Sequence, residues 1–414
     1  MASKSAATPA SNFSIRFDEE IQRKSSTRRP IRILHSVGHL FRGGIENWLY
    51  QLASRMDRNR FRHHVLVRTE EEEPFTRAFQ EAGIPVIPCL GLTSPLAFRR
   101  NFNDILDKHG PFDVLHAHGF SLLTTQTLLY SKLRGIPMRI VHSHDDLRPK
   151  LARSGMLYRF YASTSLKLIR QLANAGIACG GQAAEWVFGR DWRQRTPPIA
   201  LIIGIDMQPC FQPADPGLRA RFGIPPDRFV ILQVGRFEPQ KNHEFTIQIA
   251  RELARRDVPI HLLLIGNGSL RLEMQRKIDE SGLKERCTWI SDTDQIPAIL
   301  RSVADLKILP SLHEGLPLVH IETQAAAIPI LISDTVTREA VIDPGLVDFL
   351  PIDRGPAVWA DRIMERLGDG TNHVITPAHR EKLLASRFNI HWSLRDLADI
   401  YEGAFTPTDL AMER

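Results

Sequence analysis

The chain has 414 residues, which at roughly 100–200 residues per domain means two or three domains. Apolar residues make up 43% and charged residues 24%, which excludes disorder over most of the length, and no run of ~18 apolar residues is present to cross a membrane. The formal charge of +6, with a pI near 9.2, invites a nucleic-acid or membrane-surface reading that depends on where the charge sits.

The first 29 residues are polar and Ser-rich, without the apolar stretch of a secretory signal. They hold six basic residues (Lys4, Arg16, Arg23, Lys24, Arg28, Arg29) against three acidic ones, so half of the net charge sits in a tail expected to be disordered. A solvated extension is the plain reading; weak attraction to an anionic membrane is the alternative. Cys89, Cys179, Cys210 and Cys287 lie far apart with no C-x-x-C spacing, which is neither a disulfide framework nor a zinc knuckle and suits a reducing cytosol.

From Arg32 short β-rich runs alternate with helix-length segments. Strands are expected at 32–37, 63–68, 113–118, 138–144, 176–180 and 199–205, then at 229–237, 261–268, 287–291, 305–311, 329–334 and 347–352. They are too apolar for half-exposed strands and read as parallel strands covered on both faces. Helices are expected at 45–55, 96–109, 121–134, 243–256 and 269–280. The Pro- and Gly-dense stretch 208–228 is a linker with a short helix, which sets a domain boundary near residue 207. The pattern predicts an α/β chain of two doubly wound parallel-sheet domains, residues 30–207 and 208–388, facing across a cleft. A terminal helix within 389–414, with Trp392, Leu394, Leu397, Ile400 and Tyr401 at helical spacing, is expected to cross back and pack on the N-terminal domain, followed by a tail.

Ligands of this fold class bind at the carboxyl ends of the strands, so the loops there carry the chemistry. Gly43-Gly44 follows the first strand where a helix begins, a turn whose N–H groups can face an anion. GRFEPQKNH (235–243) sets Arg236 and Lys241 before a helix, two fixed cations suited to a diphosphate and to charge on a leaving phosphate. SLHEGLPLVHIE (311–322) places Glu314 in a loop, Gly315-Leu316-Pro317 at a turn with Pro317 in the first helical turn, and Glu322 on the helix beyond. Such carboxylates can accept hydrogen bonds from sugar hydroxyls and a ribose diol. Each residue alone reads as surface charge or an ordinary turn; their combination does not.

In order along nearly everything after residue 30, RILHSVGHLFRGGIENWL, DVLHAHG, RIVHSHDD, ACGGQAAEWVFG, VGRFEPQKNHEF, LLLIGNG and LPSLHEGLPLVHIETQAA resemble retaining GT-B glycosyltransferases of family 4, of the exopolysaccharide and capsule type. The resemblance implies that Arg236 and Lys241 grip the donor diphosphate, that Glu314 contacts the donor sugar and that Glu322 binds the ribose hydroxyls. It places His118 near the reacting face of the sugar, with His116 as the fallback. It sets Gly43 and Gly44 near the donor phosphates and the acceptor site, and adds Gly235, Asn267, Gly268, Gly315 and Leu316 to the donor side. Glu46, His116 and His144 fall on the acceptor side. The implied co-substrate is a nucleotide-diphosphate sugar, with no metal or other cofactor. The implied partner is a saccharide or lipid-linked saccharide acceptor, at a cytoplasmic location that includes peripheral contact with the inner membrane face.

Some positions depart from the family pattern. Ile203-Gly204-Ile205-Asp206 stands where Asn-Gly-Ile-Asp is common, and Ala327 and Ser291 each replace a Gly. Asp292-Thr293-Asp294 spells a metal-binding triplet, but it precedes IPAILRSVA and Asp294 reads as a helix N-cap. His116/His118 and His142/His144 each share a strand face, so zinc is geometrically conceivable, yet no cysteine or carboxylate completes a set. Packed or hydrogen-bonded histidines are the plainer reading of His116 and His142, and His63-His64 alternates faces with no role assigned. Gly266-Asn267-Gly268 lacks the third glycine of a dinucleotide fingerprint. The alternatives to transfer are a nucleotide-sugar epimerase on the same scaffold and a non-catalytic sugar-nucleotide-binding protein. No aromatic-interleaved basic stripe supports nucleic acid.

Overall fold

A computed structural model of the chain describes residues 29–41, 43–195, 199–291, 293–368 and 374–404. The expected basic tail, Arg29 apart, lies outside them, as does Asp292. The described chain separates after Gly204 and again after Asn389 into two compact units.

The first unit is built on seven parallel strands: β1 (Ile31–Ser36), β2 (Phe61–Val67), β3 (Val86–Pro88), β4 (Val114–His118), β5 (Met138–Ser143), β6 (Ala175–Ala178) and β7 (Ile199–Leu201). Their order is β3-β2-β1-β4-β5-β6-β7, a doubly wound sheet whose direction of winding reverses between β1 and β4. Both faces of β1, β4 and β5 are buried, one apolar and the other lined toward its carboxyl end by histidines. β3 is the one strand that the periodicity does not announce: three residues, Val86, Ile87 and Pro88, directly after Pro85. Proline is tolerated there because the strand lies at the sheet edge.

The second unit repeats the plan with six parallel strands: β8 (Phe229–Val234), β9 (Ile260–Ile265), β10 (Cys287–Ile290), β11 (Leu306–Leu309), β12 (Ile330–Ser333) and β13 (Val347–Leu350). The order β10-β9-β8-β11-β12-β13 puts its reversal between β8 and β11. Its core joins Ile231, Leu262, Leu264 and Ile308 of the sheet to Phe245, Ile249 and Leu253 of the His243–Arg255 helix and Trp359 of the Pro356–Gly368 helix. The linker carries the short helix Leu218–Arg221.

The terminal helix, Ile390–Tyr401, belongs to the first unit. Its Ser393 Oγ accepts the Gly204 N–H at 2.7 Å, Glu402 pairs with Arg60, and the Tyr401 hydroxyl lies 2.7 Å from His116 Nδ1. The chain therefore crosses twice between the units, with Ile205 bridging Asn389 at the crossing. Among the described residues no helix is long and apolar enough to cross a membrane.

Candidate active site

In the second unit the loops after β8 and β11, on either side of the winding reversal, hold the expected donor residues. After β8 the backbone passes Gly235 and Arg236 into a single 3-10 turn, Pro239–Lys241, and Asn242 then takes a left-handed φ of 53° before the helix begins at His243. Several bonds lace this loop to the one after β11. Asn242 Nδ2 donates to Pro310 O at 3.1 Å, Gln240 Nε2 to His313 O at 2.9 Å, and Leu312 N to Gln240 O at 2.8 Å. Gln233, itself bonded by the Thr246 hydroxyl, donates to the Lys241 carbonyl at 2.8 Å. The outcome is an ion pair between residues 73 apart: Lys241 Nζ lies 2.6 Å from Glu314 Oε1, and their side chains are 17% and 7% exposed. A pair this enclosed needs further bonds to repay its desolvation, and Lys241 keeps N–H donors for another anion. The Arg236 side chain is exposed, and its guanidinium makes no hydrogen bond or ion pair among the described residues.

Beyond Glu314, the Gly315 and Leu316 N–H groups have no partner among the described residues. Pro317 is the N-cap of the Leu318–Ala325 helix, one position before the first turn in which it was expected, and no side chain caps that helix. Free amides thus gather beside the Lys241–Glu314 pair. Glu322 lies midway along the helix, and enclosure raises its carboxyl to about 7 against the partly offsetting charge of Lys307. Lys307 is fully buried on β11 with no partner for Nζ among the described residues, and burial plus the Lys241 charge lowers it to about 7. His320 faces the same charge; burial holds it neutral, down at about 3.

Gly266 and Gly268 serve close packing of backbones. A Cβ on Gly266 would sit 2.2 Å from Gly235 O, and one on Gly268 2.5 Å from Phe237 N. The Asn267 carbonyl accepts the Phe237 N–H at 2.8 Å, which ties the loop after β9 to the one after β8. Arg271 holds the Asn267 side chain at 2.7 Å and reaches Ser291 Oγ at 3.3 Å. Asp294 does not cap the next helix: Gln295 holds that position, and Thr293 Oγ1 accepts its N–H at 3.1 Å.

In the first unit Gly43 is the N-cap of the Gly44–Arg55 helix, without a side-chain cap. The space a Cβ would fill at Gly43 is taken by Glu46, whose Oε2 would be 2.4 Å away, so this helix mouth already faces its own carboxylate. Against this helix, through its Trp48, stand His35, His63, His116, His118 and His142 on one sheet face, since His35 registers with His116 and His118 with His142; His144 follows just beyond β5, and His64 takes the other face. The histidines of the first face and His144 form a ladder. His63 Nδ1 lies 2.9 Å from His35 Nε2, His35 Nδ1 3.1 Å from His118 Nε2, and His118 Nδ1 3.0 Å from His144 Nε2. A second rung joins Tyr401, His116 and His142, with His116 Nε2 3.2 Å from His142 Nδ1. Trp48 closes the layer edge-on to His142 at 4.8 Å between centroids.

Burial holds every one of these histidines below its ordinary range, His63 and His144 down at about 3 and His35, His116, His118 and His142 well below 6.5. They are neutral imidazoles, each one donor and one acceptor. His118 therefore has both ring nitrogens engaged, whereas Nδ1 of half-buried His144 makes no hydrogen bond among the described residues. His35 supplies the third ligand missing from the zinc reading: nitrogens of His35, His116 and His118, and of His118, His142 and His144, lie within 4.8 Å of one another. His63, to which the sequence assigns no role, joins the ladder through the pairing of β2 with β1. Period-two alignment of RILHSV with DVLHAH would have revealed His35.

The model for glycosyl transferases group 1 matches residues 215–380, and that for the glycosyl transferase 4-like domain matches residues 43–197. A putative glycosyltransferase, EpsF, of Bacillus subtilis (strain 168) is 31% identical over 346 residues, 82% of this chain and 88% of its own length. The chain belongs to the group 1 glycosyltransferases. Another relative of this glycosyltransferase is the UDP-Gal:alpha-D-GlcNAc-diphosphoundecaprenol alpha-1,3-galactosyltransferase of Escherichia coli, 25% identical over 186 residues, 43% of this chain and 46% of its own length. Among solved structures, Anabaena Alr3699/HepE in complex with UDP and glucose superposes with a TM-score of 0.74 at 17% identity, covering 90% of this chain and 100% of that one. WaaG, a glycosyltransferase involved in lipopolysaccharide biosynthesis, does so with 0.68 at 16%, with the same coverage. These likenesses establish the GT-B fold. The epimerase alternative is not favoured, because both family models and the relatives are glycosyltransferases.

Proposed function

We propose that this glycosyltransferase moves a sugar from a nucleotide-diphosphate donor, with retention of configuration, to a saccharide or lipid-linked saccharide in surface polysaccharide assembly at the inner membrane face. The observation that carries the donor reading is the Lys241–Glu314 pair at 2.6 Å beside the unpartnered Gly315 and Leu316 amides. Cations and amide dipoles fixed by the fold suit a diphosphate whose charge grows as the glycosidic bond breaks. In this reading Arg236 and Lys241 hold the diphosphate, with Gly235, Asn267 and Gly268 shaping its loop. Glu314 orients Lys241 and accepts a sugar hydroxyl, and Glu322 accepts the ribose diol. No metal is assigned a part.

The bond from the anomeric carbon to the phosphate oxygen breaks, the acceptor oxygen bonds that carbon on the same face, and the acceptor proton passes to the departing phosphate. The contact at the reacting face falls to His144, whose Nδ1 has no partner among the described residues, with His118 holding it from behind. Glu46 and Gly43-Gly44 border the acceptor. The acceptor class is supported by the diphosphoundecaprenol substrate named for the Escherichia coli relative.

A melting-temperature panel of nucleotide sugars tests the donor reading. A ligand at one hundred times its Kd adds about 2.7 kcal/mol to the native state, so the right donor raises the transition visibly. A panel in which no nucleotide sugar moves it would overturn the assignment. The anomeric configuration of the product, read by NMR against that of the donor, checks retention.

A further inference from the structure

The Met156–Leu172 helix is apolar on both sides. Ala162, Leu166, Ile169 and Leu172 are buried against the unit, whereas Met156, Leu157 and Phe160 are 87%, 84% and 71% exposed. At about 3.6 residues per turn these three fall on one stripe opposite the buried face. Single exposed apolar residues are ordinary; three grouped at the start of one helix mark a contact surface.

Charge says what the contact is. From Leu147 to Ala184 the chain has no Asp or Glu, but it has six cations: Arg148, Lys150, Arg153, Arg159, Lys167 and Arg170. Arg148 pairs with Asp146 and Glu185, and Arg159 turns onto the carbonyls of Leu151 and Ser154. Lys150, Arg153 and Lys167 stay exposed with no acidic partner among the described residues. Lys167 lies on the same stripe as Met156 and Phe160, while Lys150 and Arg153 precede it in the Arg148–Ala152 turn and just after.

We propose that this surface docks on an anionic lipid bilayer, with Met156, Leu157 and Phe160 entering the headgroup boundary and Lys150, Arg153 and Lys167 meeting lipid phosphates. A stable protein partner needs about 800 Å² from each side, more than three side chains offer. Interfacial binding needs only a small apolar stripe when basic residues add to it. The proposal rests on the membrane-proximal reading above and names the face that makes the contact, which is not the N-terminal tail.

Flotation of the full chain with vesicles of phosphatidylglycerol and phosphatidylcholine, against phosphatidylcholine alone, tests it. Wild type binds the anionic vesicles, more weakly as salt rises. L157E/F160E and K150E/R153E each weaken binding roughly tenfold or more. Both pairs lie at the surface, so an unchanged melting temperature confirms that they fold. Anionic-vesicle binding undiminished in L157E/F160E overturns the proposal, including the case where removal of residues 1–28 abolishes it and so places the contact in the tail. A change in sedimentation mass without a change in vesicle binding overturns it in favour of a second copy. If wild type binds neither vesicle, the membrane-proximal reading falls as well, and donor binding in the melting panel is unaffected.

Discussion

Ala327 closes the Leu318–Ala325 helix with φ at +59°, while its N–H reaches Gln324 O at 2.9 Å and the Ile328 N–H reaches Thr323 O at 3.1 Å. That hydrogen-bond pair is the left-handed helix stop that glycine usually provides. The absence of glycine was legible in the sequence; its strain was not, because it depends on where the helix ends. Left-handed alanine costs about 1–2 kcal/mol, part of which glycine returns as unfolded-chain entropy. Ala327→Gly should therefore raise stability by roughly 0.5–1 kcal/mol in urea denaturation. Lys307 was missed for a related reason: DLKILP shows one lysine on a strand, and only the packed unit buries its ammonium. Its folded value of about 7 lies below the ordinary 10.5, so between those limits the unfolded chain holds the extra proton and stability rises with pH. Lys307→Met should flatten that rise, measured as denaturation midpoints from pH 7 to 9.

At the scale of elements, the loop motifs after β8 and β11 were readable because glycine, proline and charge punctuate them. The histidine ladder was readable only in part. DVLHAH and RIVHSH show pairs on one face, but the joining of His63, His35, His118 and His144 into one chain needs the strand order β2-β1-β4-β5. All these imidazoles are neutral when folded, with values below the unfolded 6.5. Their contribution is complete above pH 6.5 and is lost as pH falls, because the unfolded chain takes up protons first. Each adds a slope of at most about 1.4 kcal/mol per pH unit, approached once the unfolded chain is protonated, so urea midpoints should fall between pH 6.5 and 5. A stability that stays flat over that interval would mean the ladder is not neutral.

For the whole molecule, alternation of strands and helices made the two doubly wound units legible, since a parallel sheet covered on both faces leaves little choice of pattern. The +6 charge carried less information than its distribution. Half belongs to the first 29 residues, and a separate acid-free stretch begins at Leu147, which composition alone does not reveal. The donor reading concentrates function on two cations at one winding reversal, and turnover is its most direct test. With the donor found in the melting panel, kcat is measured for wild type, Arg236→Ala and Lys241→Ala, each checked for an unchanged fold. Removing one preorganised charge contact of this kind costs roughly 100- to 1,000-fold, and that loss is expected in each variant. Near-normal kcat in both would contradict the account.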